Sequence, residues 1–341
     1  MRILNLDATY FIEPLREMGH EVLTVGRGPE YDLPLTIQIS LKALLARLEE
    51  RGFRPEAVLW CDRCEPPSVT GFEALPVPLV GYSVDQYCNP WHVPYSAAFD
   101  LMLVAQKDYV CLFDVDKLPR PVEWFPLFCD AVDQSAQASE RDIPVSFVGT
   151  ISGRINTARK VFLNDFRRLC PVFLHQGRYH EAFVRSCIVL NQCAAVELNF
   201  RIFQAAATGA AVLTEDVNHG LRDLFEPGRD ILVYPCGDAA AAAAVARQWL
   251  GRPEALADLA RAGREVVLAG HTAHIRAQHI MDCIGGLARR RAWRWRLENR
   301  AKVRMLIGKA FGMLCADSEL PLPDSHRDFY AELASMYLLT D

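Results

Sequence analysis

A strand, a helix and a second strand in direct succession between residues 187 and 215 constrain the fold most. The apolar runs 187–190 and 210–213 are each typical of a buried parallel strand. Between them, residues 199–208 have apolar side chains at helical spacing, and Gly209 follows as a favourable helix C-terminus. Because parallel strands need a crossover connection, which is usually a helix, this stretch predicts a βαβ unit in a parallel sheet.

Three polar side chains, Glu197, Asn199 and Arg201, lie where the loop of this unit meets the helix. A helix N-terminus carries partial positive charge and unpaired backbone N–H groups, so it suits an anion. We therefore predict that a nucleotide diphosphate binds here.

Length and composition exclude several classes of protein. The 341 residues suit two domains of about 150 residues each, and the net charge of −5 argues against a nucleic-acid-binding surface. The sequence has no run of about 18 apolar residues, so we expect no membrane span, and its first residues lack a signal-peptide pattern. Eleven cysteines are scattered mostly through apolar segments, which is typical of reduced thiols in a cytoplasmic protein.

Two α/β halves are predicted on either side of a polar segment rich in small residues, 133–142. We expect an N-terminal Rossmann-like domain over 1–135, a C-terminal Rossmann-like domain over 143–285 and a helical extension over 286–341. The expected strands are 1–6, 20–25, 57–60, 77–82, 101–105 and 110–113 in the first half, then 145–150, 171–174, 187–190, 210–213 and 231–234 in the second.

The extension contains a strongly basic segment, residues 289–309, bounded by Arg289 and Lys309. It holds seven arginines and two lysines against one glutamate, with Trp293 and Trp295 interleaved. One interpretation is a solvated helix that packs its tryptophans on the body of the protein. The other is a helix that contacts anionic lipid, as a peripheral protein at the inner membrane face, or an acidic protein partner.

A resemblance to a known family rests on four segments of the second half. The segments are FVGTISGRINTARKVFL, IVLNQ, ELNFRIFQAAATGAAVLTEDVNHGLRDLFEPGRDILVY and RAGREVVLAGHTAHIRAQ. Together they resemble the C-terminal domain of GT-B glycosyltransferases, above all the CgeB-like, group-1-related branch. The resemblance covers about residues 1–285 and is looser in the first half.

The resemblance implies an α/β protein of GT-B architecture, with two Rossmann-like domains that face each other across a cleft. It implies a hexosyltransferase-type enzyme that moves a sugar from a nucleotide-diphosphate sugar to an acceptor bound between the domains. The acceptor is a protein, a polysaccharide or a small molecule. Enzymes of this kind need no metal or other cofactor, and the group-1 relatives are usually retaining.

The resemblance also implies that fixed cations hold the donor diphosphate. Such cations stabilise the charge that develops on the leaving group in place of a metal. We expect Arg201 to do this at the start of the central helix. Arg154 and Arg159 are expected to do so beside the loop that runs from Gly149 to Gly153.

Four further residues are assigned to the site through the resemblance. Gln204 stands where group-1 relatives usually have a glutamate for the donor ribose, and glutamine lacks the charge of that acceptor. Glu197 is a candidate catalytic acidic partner, although its spacing to Gln204 is one residue short. Asn199 is expected at the donor, and Tyr179 near its base or sugar.

The acceptor side is assigned to a loop that follows a buried strand of the first half. Asp85 and His92 lie in this loop, where ligands gather in open α/β sheets, and either could serve as the base of an inverting enzyme. The alternative is that Asp85 caps a turn and that His92 packs beside Pro90.

Two other functions stay open on the sequence alone. One is a catalytically silent GT-B protein that binds a nucleotide-sugar or a partner, which Gln204 favours, and the other is a nucleotide-sugar epimerase. No metal site is predicted. Cys61 and Cys64 have the spacing of a zinc motif but lack a second ligand pair. Three histidines, His271, His274 and His279, lie on or near one predicted helix. Their spacing is not that of two zinc ligands four residues apart.

Overall fold

A computed structural model describes residues 1–114, 117–134, 140–151, 153, 156–320 and 322–339. The chain forms two compact units: unit 1 comprises residues 1–125 and 277–341, and unit 2 comprises residues 126–276. Half of the predicted linker 133–142, residues 135–139, lies outside the described residues.

The strands and helices alternate over most of the chain. The strands are β1 (Arg2–Asp7), β2 (Glu21–Arg27), β3 (Leu33–Leu35), β4 (Ile39–Ser40), β5 (Ala57–Cys61), β6 (Val69–Thr70), β7 (Leu79–Ser83), β8 (Leu101–Val104), β9 (Val122–Trp124), β10 (Ile143–Val148), β11 (Phe173–His175), β12 (Ser186–Asn191), β13 (Ala211–Glu215) and β14 (Leu232–Tyr234). The α-helices are α1 (Ile12–Glu17), α2 (Leu41–Glu50), α3 (His92–Tyr95), α4 (Ala131–Gln134), α5 (Thr157–Leu169), α6 (His180–Arg185), α7 (Phe200–Ala207), α8 (Leu221–Leu224), α9 (Ala239–Leu250), α10 (Pro253–Gly270), α11 (Ala273–Arg290), α12 (Trp293–Glu298), α13 (Arg300–Ala316) and α14 (Asp324–Leu339).

Unit 1 is built on a seven-stranded sheet of order β3-β2-β1-β5-β7-β8-β9, in which each neighbouring pair is parallel. Strands β5, β7 and β8 are buried at every position, as expected for a sheet covered on both faces. The predicted α/β class is confirmed, and the strand order grows outward in both directions from β1, as in Rossmann-like sheets.

One predicted strand of unit 1 is wrong. Residues 110–113 belong to a 3₁₀ segment, Lys107–Phe113, and not to a strand. Phe113 is buried, but Leu112 is 46% exposed, so the apolar run does not lie on two covered faces of a sheet. A short apolar run does not by itself distinguish a strand from a helical turn. The edge of the sheet is formed instead by β9, which we did not predict.

The C-terminal segment is helical, as predicted, and packs into unit 1. Helices α13 and α14 contribute Ile307, Phe311 and Tyr330 to the same buried core as strands β1, β5 and β8. Arg296 of the basic segment is 2% exposed and forms an ion pair with Asp100, with Nε 3.1 Å from Oδ1. The arginines of this segment that remain exposed are Arg289, Arg290, Arg291, Arg294 and Arg300.

Unit 2 has a five-stranded parallel sheet of order β11-β10-β12-β13-β14. The predicted βαβ unit is present as β12, α7 and β13, which are neighbours in this order along the chain. Gly209 follows α7 with a φ of +78°, a left-handed conformation that glycine adopts at low cost and that reverses the chain into β13. Among the described residues, no helix has the length and hydrophobicity needed to span a membrane.

Candidate functional site

The candidate donor site lies at the carboxyl ends of β10, β12 and β13 in unit 2. In open parallel sheets, ligands bind outside these ends. Asn191 ends β12, and its Nδ2 donates a hydrogen bond to Thr214 Oγ1 in β13 over 2.9 Å. Its Oδ1 accepts hydrogen bonds from the side chains of Asn199 and Arg201, which lie at the start of α7. Asn191 therefore fixes two predicted donor-binding residues against the sheet.

Arg201 reaches back from the first turn of α7 to the end of β10. Its Nε donates to the backbone oxygen of Val148 over 3.0 Å, and its Nη1 donates to Asn191 Oδ1 over 2.6 Å. The guanidinium carbon also lies 4.6 Å from the centre of the Phe147 ring, within the range of a cation–π contact. Arg201 Nη2 makes no hydrogen bond to any described residue, so this N–H group is available to a ligand.

The charge of Arg201 is not balanced by a neighbouring carboxylate in the described part of the chain. Its acceptors are the backbone oxygens of Val148 and Gln192 and the amide oxygen of Asn191, all of which are neutral. Burial, and then the positive charge of Arg159, lower the pKa of Arg201 to about 10. The effect of Arg159 on this pKa shows that the two guanidinium groups are near enough to repel each other. A bound anion would offset this repulsion.

Arg159, on α5, is held by the loop that follows β12. Its Nε donates to Gln192 Oε1 over 2.8 Å, and its Nη2 donates to the Gln192 backbone oxygen over 3.1 Å. Nη1 donates to the backbone oxygen of Thr150 over 2.8 Å. The side chain is 7% exposed and lies 5.5 Å from the centre of the Phe147 ring. The structure thus brings Arg159 and Arg201 to the same aromatic ring.

Gly149 permits the position of Arg201. A Cβ atom at residue 149 would collide with Arg201 Nη2. Its φ of +153° also disfavours other residues, and its N–H donates to the backbone oxygen of His175 over 3.1 Å. The predicted glycine is therefore required by the close approach of the guanidinium group.

The other predicted residues of α7 and its preceding loop lie around the same helix N-terminus. Asn199 Nδ2 donates to Asn191 Oδ1 over 2.9 Å, whereas Asn199 Oδ1 is buried and accepts no hydrogen bond from the described residues. Glu197 is 5% exposed. Gln204 is partly buried one turn into α7, and its side chain makes no hydrogen bond to the described residues.

Two predicted donor residues, Gly153 and Tyr179, are not brought to Arg201 by any described contact. A third, Arg154, lies outside the described residues. Gly153 has a φ of +149°, and its carbonyl oxygen accepts from the N–H of Asn156 ahead of α5. Tyr179 donates its hydroxyl to Asp133 Oδ1 over 3.1 Å, so this hydroxyl is engaged within unit 2.

Sequence reasoning missed the residues that hold the predicted ones. Asn191 and Gln192 accept hydrogen bonds from three predicted side chains, and Glu215 accepts the backbone N–H groups of Cys193 and Gly237. The signal was present, because each of these polar residues directly follows or ends a buried apolar strand.

The candidate acceptor residues of unit 1 are both arranged around Asp62. Asp62 Oδ2 accepts the backbone N–H of Asp85 over 2.8 Å, and Asp62 Oδ1 lies 3.6 Å from His92 Nε2. Burial, and then the charge of Asp62, raise the pKa of Asp85 to about 7. His92 is fully buried, its Nδ1 lies 2.9 Å from Ser83 Oγ, and burial lowers its pKa to about 3. At neutral pH His92 is therefore an uncharged core side chain.

Comparison with known proteins identifies related folds. Residues 134–282 match the model of a family described as glycosyl transferase-like. A search of curated proteins found no match. The structure of HepE from Anabaena in complex with UDP-glucose is similar, with a TM-score of 0.62 and 12% identity over 84% of this chain and all of that one.

Two further solved structures share the fold. Sucrose-phosphate synthase from Thermosynechococcus elongatus has a TM-score of 0.58 and 13% identity, and a glycosyltransferase from Rickettsia africae has a TM-score of 0.60 and 9% identity. Each covers 84% of this chain and 98% of its own. The chain therefore has the fold of GT-B glycosyltransferases, and its segment 134–282 matches a glycosyl transferase-like family.

Proposed function

We propose that this protein is a glycosyltransferase that uses a nucleotide-diphosphate sugar as donor. The single observation that carries the proposal is the arginine pair of unit 2. Arg201 presents a free Nη2 group at the carboxyl edge of the sheet, and Arg159 lies at the same ring with a second positive charge. The family match over 134–282 and the shared GT-B fold support the same reading.

In the proposed reaction, a nucleophilic atom of the acceptor bonds to the anomeric carbon of the sugar and gives up its proton. The bond between the sugar and the diphosphate breaks, and negative charge develops on the diphosphate, which leaves as the nucleoside diphosphate and can accept that proton. Arg201 Nη2 donates to a diphosphate oxygen, and the positive charge of Arg159 adds to the potential there. Preorganised cations stabilise such charge strongly because they need not reorient during the reaction. The positive end of α7 acts in the same direction. No metal ion is needed for this step, so we propose that transfer is metal-independent.

Side chains around α7 are suited to the rest of the donor. Asn199 Oδ1 is a buried acceptor that a hydroxyl group of the donor would satisfy, and such a contact relieves the cost of leaving it unpaired. Gln204 is proposed to accept from the ribose, more weakly than a carboxylate would. HepE was solved with UDP and with UDP-glucose, which makes UDP-hexoses the first donors to test. The finer placement in the CgeB-like branch rests on the order of the sequence motifs.

We propose retention of configuration, because a retaining enzyme relies on the donor phosphate and on positioning more than on a protein base. Asp85 is the better of the two candidate bases if the enzyme inverts, because its pKa of about 7 leaves it partly ionised at neutral pH. The acceptor is proposed to be a protein, a polysaccharide or a small molecule. We also propose that the protein is cytoplasmic. The exposed arginines of segment 289–309 are proposed to contact an anionic partner or anionic lipid at the inner membrane face.

Gln204 favours one alternative, a catalytically silent protein that binds a nucleotide-sugar. The two functions differ in turnover. We propose to incubate the protein with UDP-, GDP- and dTDP-hexoses and to measure release of nucleoside diphosphate, in wild type, Arg201→Ala and Arg264→Ala. Release that is lost in Arg201→Ala and kept in Arg264→Ala supports the transferase. Binding of a donor without any release, in the presence of candidate acceptors, would assign the silent function, and conversion of the sugar with no acceptor present would assign an epimerase.

A further inference from the structure

A cluster of three potential metal ligands lies in unit 1, away from the arginine pair of unit 2. Glu123 belongs to β9, whereas His279 and Cys283 belong to α11. One ligand atom from each lies within 4.8 Å of the other two. His279 Nε2 is 3.1 Å from Glu123 Oε2 and 3.5 Å from Cys283 Sγ.

The two separations from His279 Nε2 are close to those between the ligands of a tetrahedral zinc ion. Zinc binds nitrogen and oxygen at about 2.0–2.2 Å and sulfur at about 2.3 Å, so its tetrahedral ligands lie about 3.3–3.6 Å apart. His279 and Cys283 are four residues apart on one helix, so both project from the same helix face. The set of one imidazole, one thiol and one carboxylate is of the type that zinc accepts. Magnesium and calcium take oxygen ligands and do not fit it.

The three ligand atoms cannot all be joined by hydrogen bonds at once. A histidine nitrogen either carries one proton or offers one lone pair. His279 Nε2 therefore donates to Glu123 or accepts from Cys283 but not both, and water serves the remaining group because Glu123 and His279 are partly exposed. A zinc ion would accept an electron pair from all three atoms at once.

We propose that Glu123, His279 and Cys283 bind a zinc ion through Oε2, Nε2 and Sγ. The cluster borders a cavity of about 480 Å³ that is open to solvent, so water can supply the fourth ligand. The side chain of Glu123 is 39% exposed and that of His279 is 49% exposed, so an ion can reach both from solvent.

The zinc ion clamps two distant parts of the chain within unit 1. Glu123 and His279 are 156 residues apart. Glu123 lies just before the chain leaves unit 1 at residue 125, and His279 lies just after it returns at residue 277. The ion therefore ties the edge strand β9 to α11, and zinc is expected to raise the melting temperature of the protein, because it binds the folded chain in preference to the unfolded one.

The test is metal binding by the full-length protein, with zinc in competition with a chromophoric chelator and with cobalt as a spectroscopic probe. Wild type is expected to bind one zinc ion, and its cobalt form should show the charge-transfer band of a single thiolate. Cys283→Ser and Glu123→Gln should each weaken zinc binding at least about tenfold. They should also abolish the rise in melting temperature that zinc causes, while circular dichroism confirms that they are folded.

Cys64→Ser is the matched control. It removes a thiol of the same unit that lies outside the proposed site, where Cys64 Sγ is 3.4 Å from Cys88 Sγ. This variant should bind zinc as wild type does. The proposal is overturned if wild type does not compete with the chelator, or if Cys283→Ser binds zinc unchanged. It is also overturned if the signal is lost in Cys64→Ser instead. These readouts do not depend on glycosyl transfer, so they stand or fall apart from the proposed function.

Discussion

Removal of Arg201 should separate nucleotide binding from folding. In Arg201→Ala, the diphosphate loses the hydrogen bond from Nη2 and the nearest positive charge. A hydrogen bond to a charged group contributes roughly 1.5–3 kcal/mol, and about 1.4 kcal/mol corresponds to tenfold in Kd. We therefore expect the Kd for the preferred nucleoside diphosphate to rise about 10- to 100-fold, as measured by isothermal titration calorimetry.

The cost of this substitution to folding should be small. Arg201 donates two short hydrogen bonds to neutral oxygens, each of which contributes about 1 kcal/mol, but its removal also relieves a poorly solvated charge that has no carboxylate partner. We expect the free energy of unfolding to fall by about 1–2 kcal/mol, and the melting temperature by a few degrees.

Arg264→Ala is the matched control for this prediction. Arg264 also donates two hydrogen bonds to carbonyl oxygens, those of Ala207 over 2.9 Å and Gln134 over 2.8 Å. Its removal should cost similar stability and leave the Kd unchanged. Our reasoning is refuted if Arg201→Ala binds the nucleotide as tightly as wild type, or if Arg264→Ala weakens binding equally.

Three further predictions test other parts of the structure. Gly149→Ala should displace Arg201 and raise the nucleotide Kd about as much as Arg201→Ala does; an unchanged Kd in the same titration would contradict the close approach. Asp85→Asn should raise the melting temperature at pH 8 by about three times as much as at pH 5, because burial raises the pKa of this carboxyl to about 7. The raised pKa means that the wild type loses stability as pH rises from about 4 through 7, so an equal effect at both pH values would exclude this cause. Arg296→Met leaves the carboxylate of Asp100 buried without its cation and should lower the free energy of unfolding by about 3–5 kcal/mol in urea denaturation; a loss below about 1 kcal/mol would show that the ion pair does not anchor the segment.

The elements of unit 2 could be predicted because local patterns determine them. The apolar runs at β12 and β13 have the length of buried strands. Gly209 adopts the left-handed conformation that follows the end of α7. The same reasoning failed at 110–113, because the sequence does not show which apolar residues the rest of the chain will cover.

The contacts of the candidate site could be predicted only in part. Arg201 and Gly149 could be proposed from the sequence because charge and glycine at a strand–helix junction have a direct chemical meaning. The structure places the two residues in close approach, and their contact with a donor stays a prediction. Asn191 was missed, because its role depends on which side chains the sheet brings within reach of it. The pairing of Arg296 with Asp100 spans 196 residues, and no local pattern indicates such a contact.

The proposed function depends above all on one contact, that of the donor diphosphate with Arg201. A crystal structure of the protein with the nucleoside diphosphate that binds most tightly tests this contact most directly. We predict a diphosphate oxygen within hydrogen-bond distance of Arg201 Nη2, at the N-terminus of α7, with Asn199 Oδ1 in contact with the same ligand. A diphosphate bound elsewhere, with Arg201 Nη2 making no contact to it, would contradict the account.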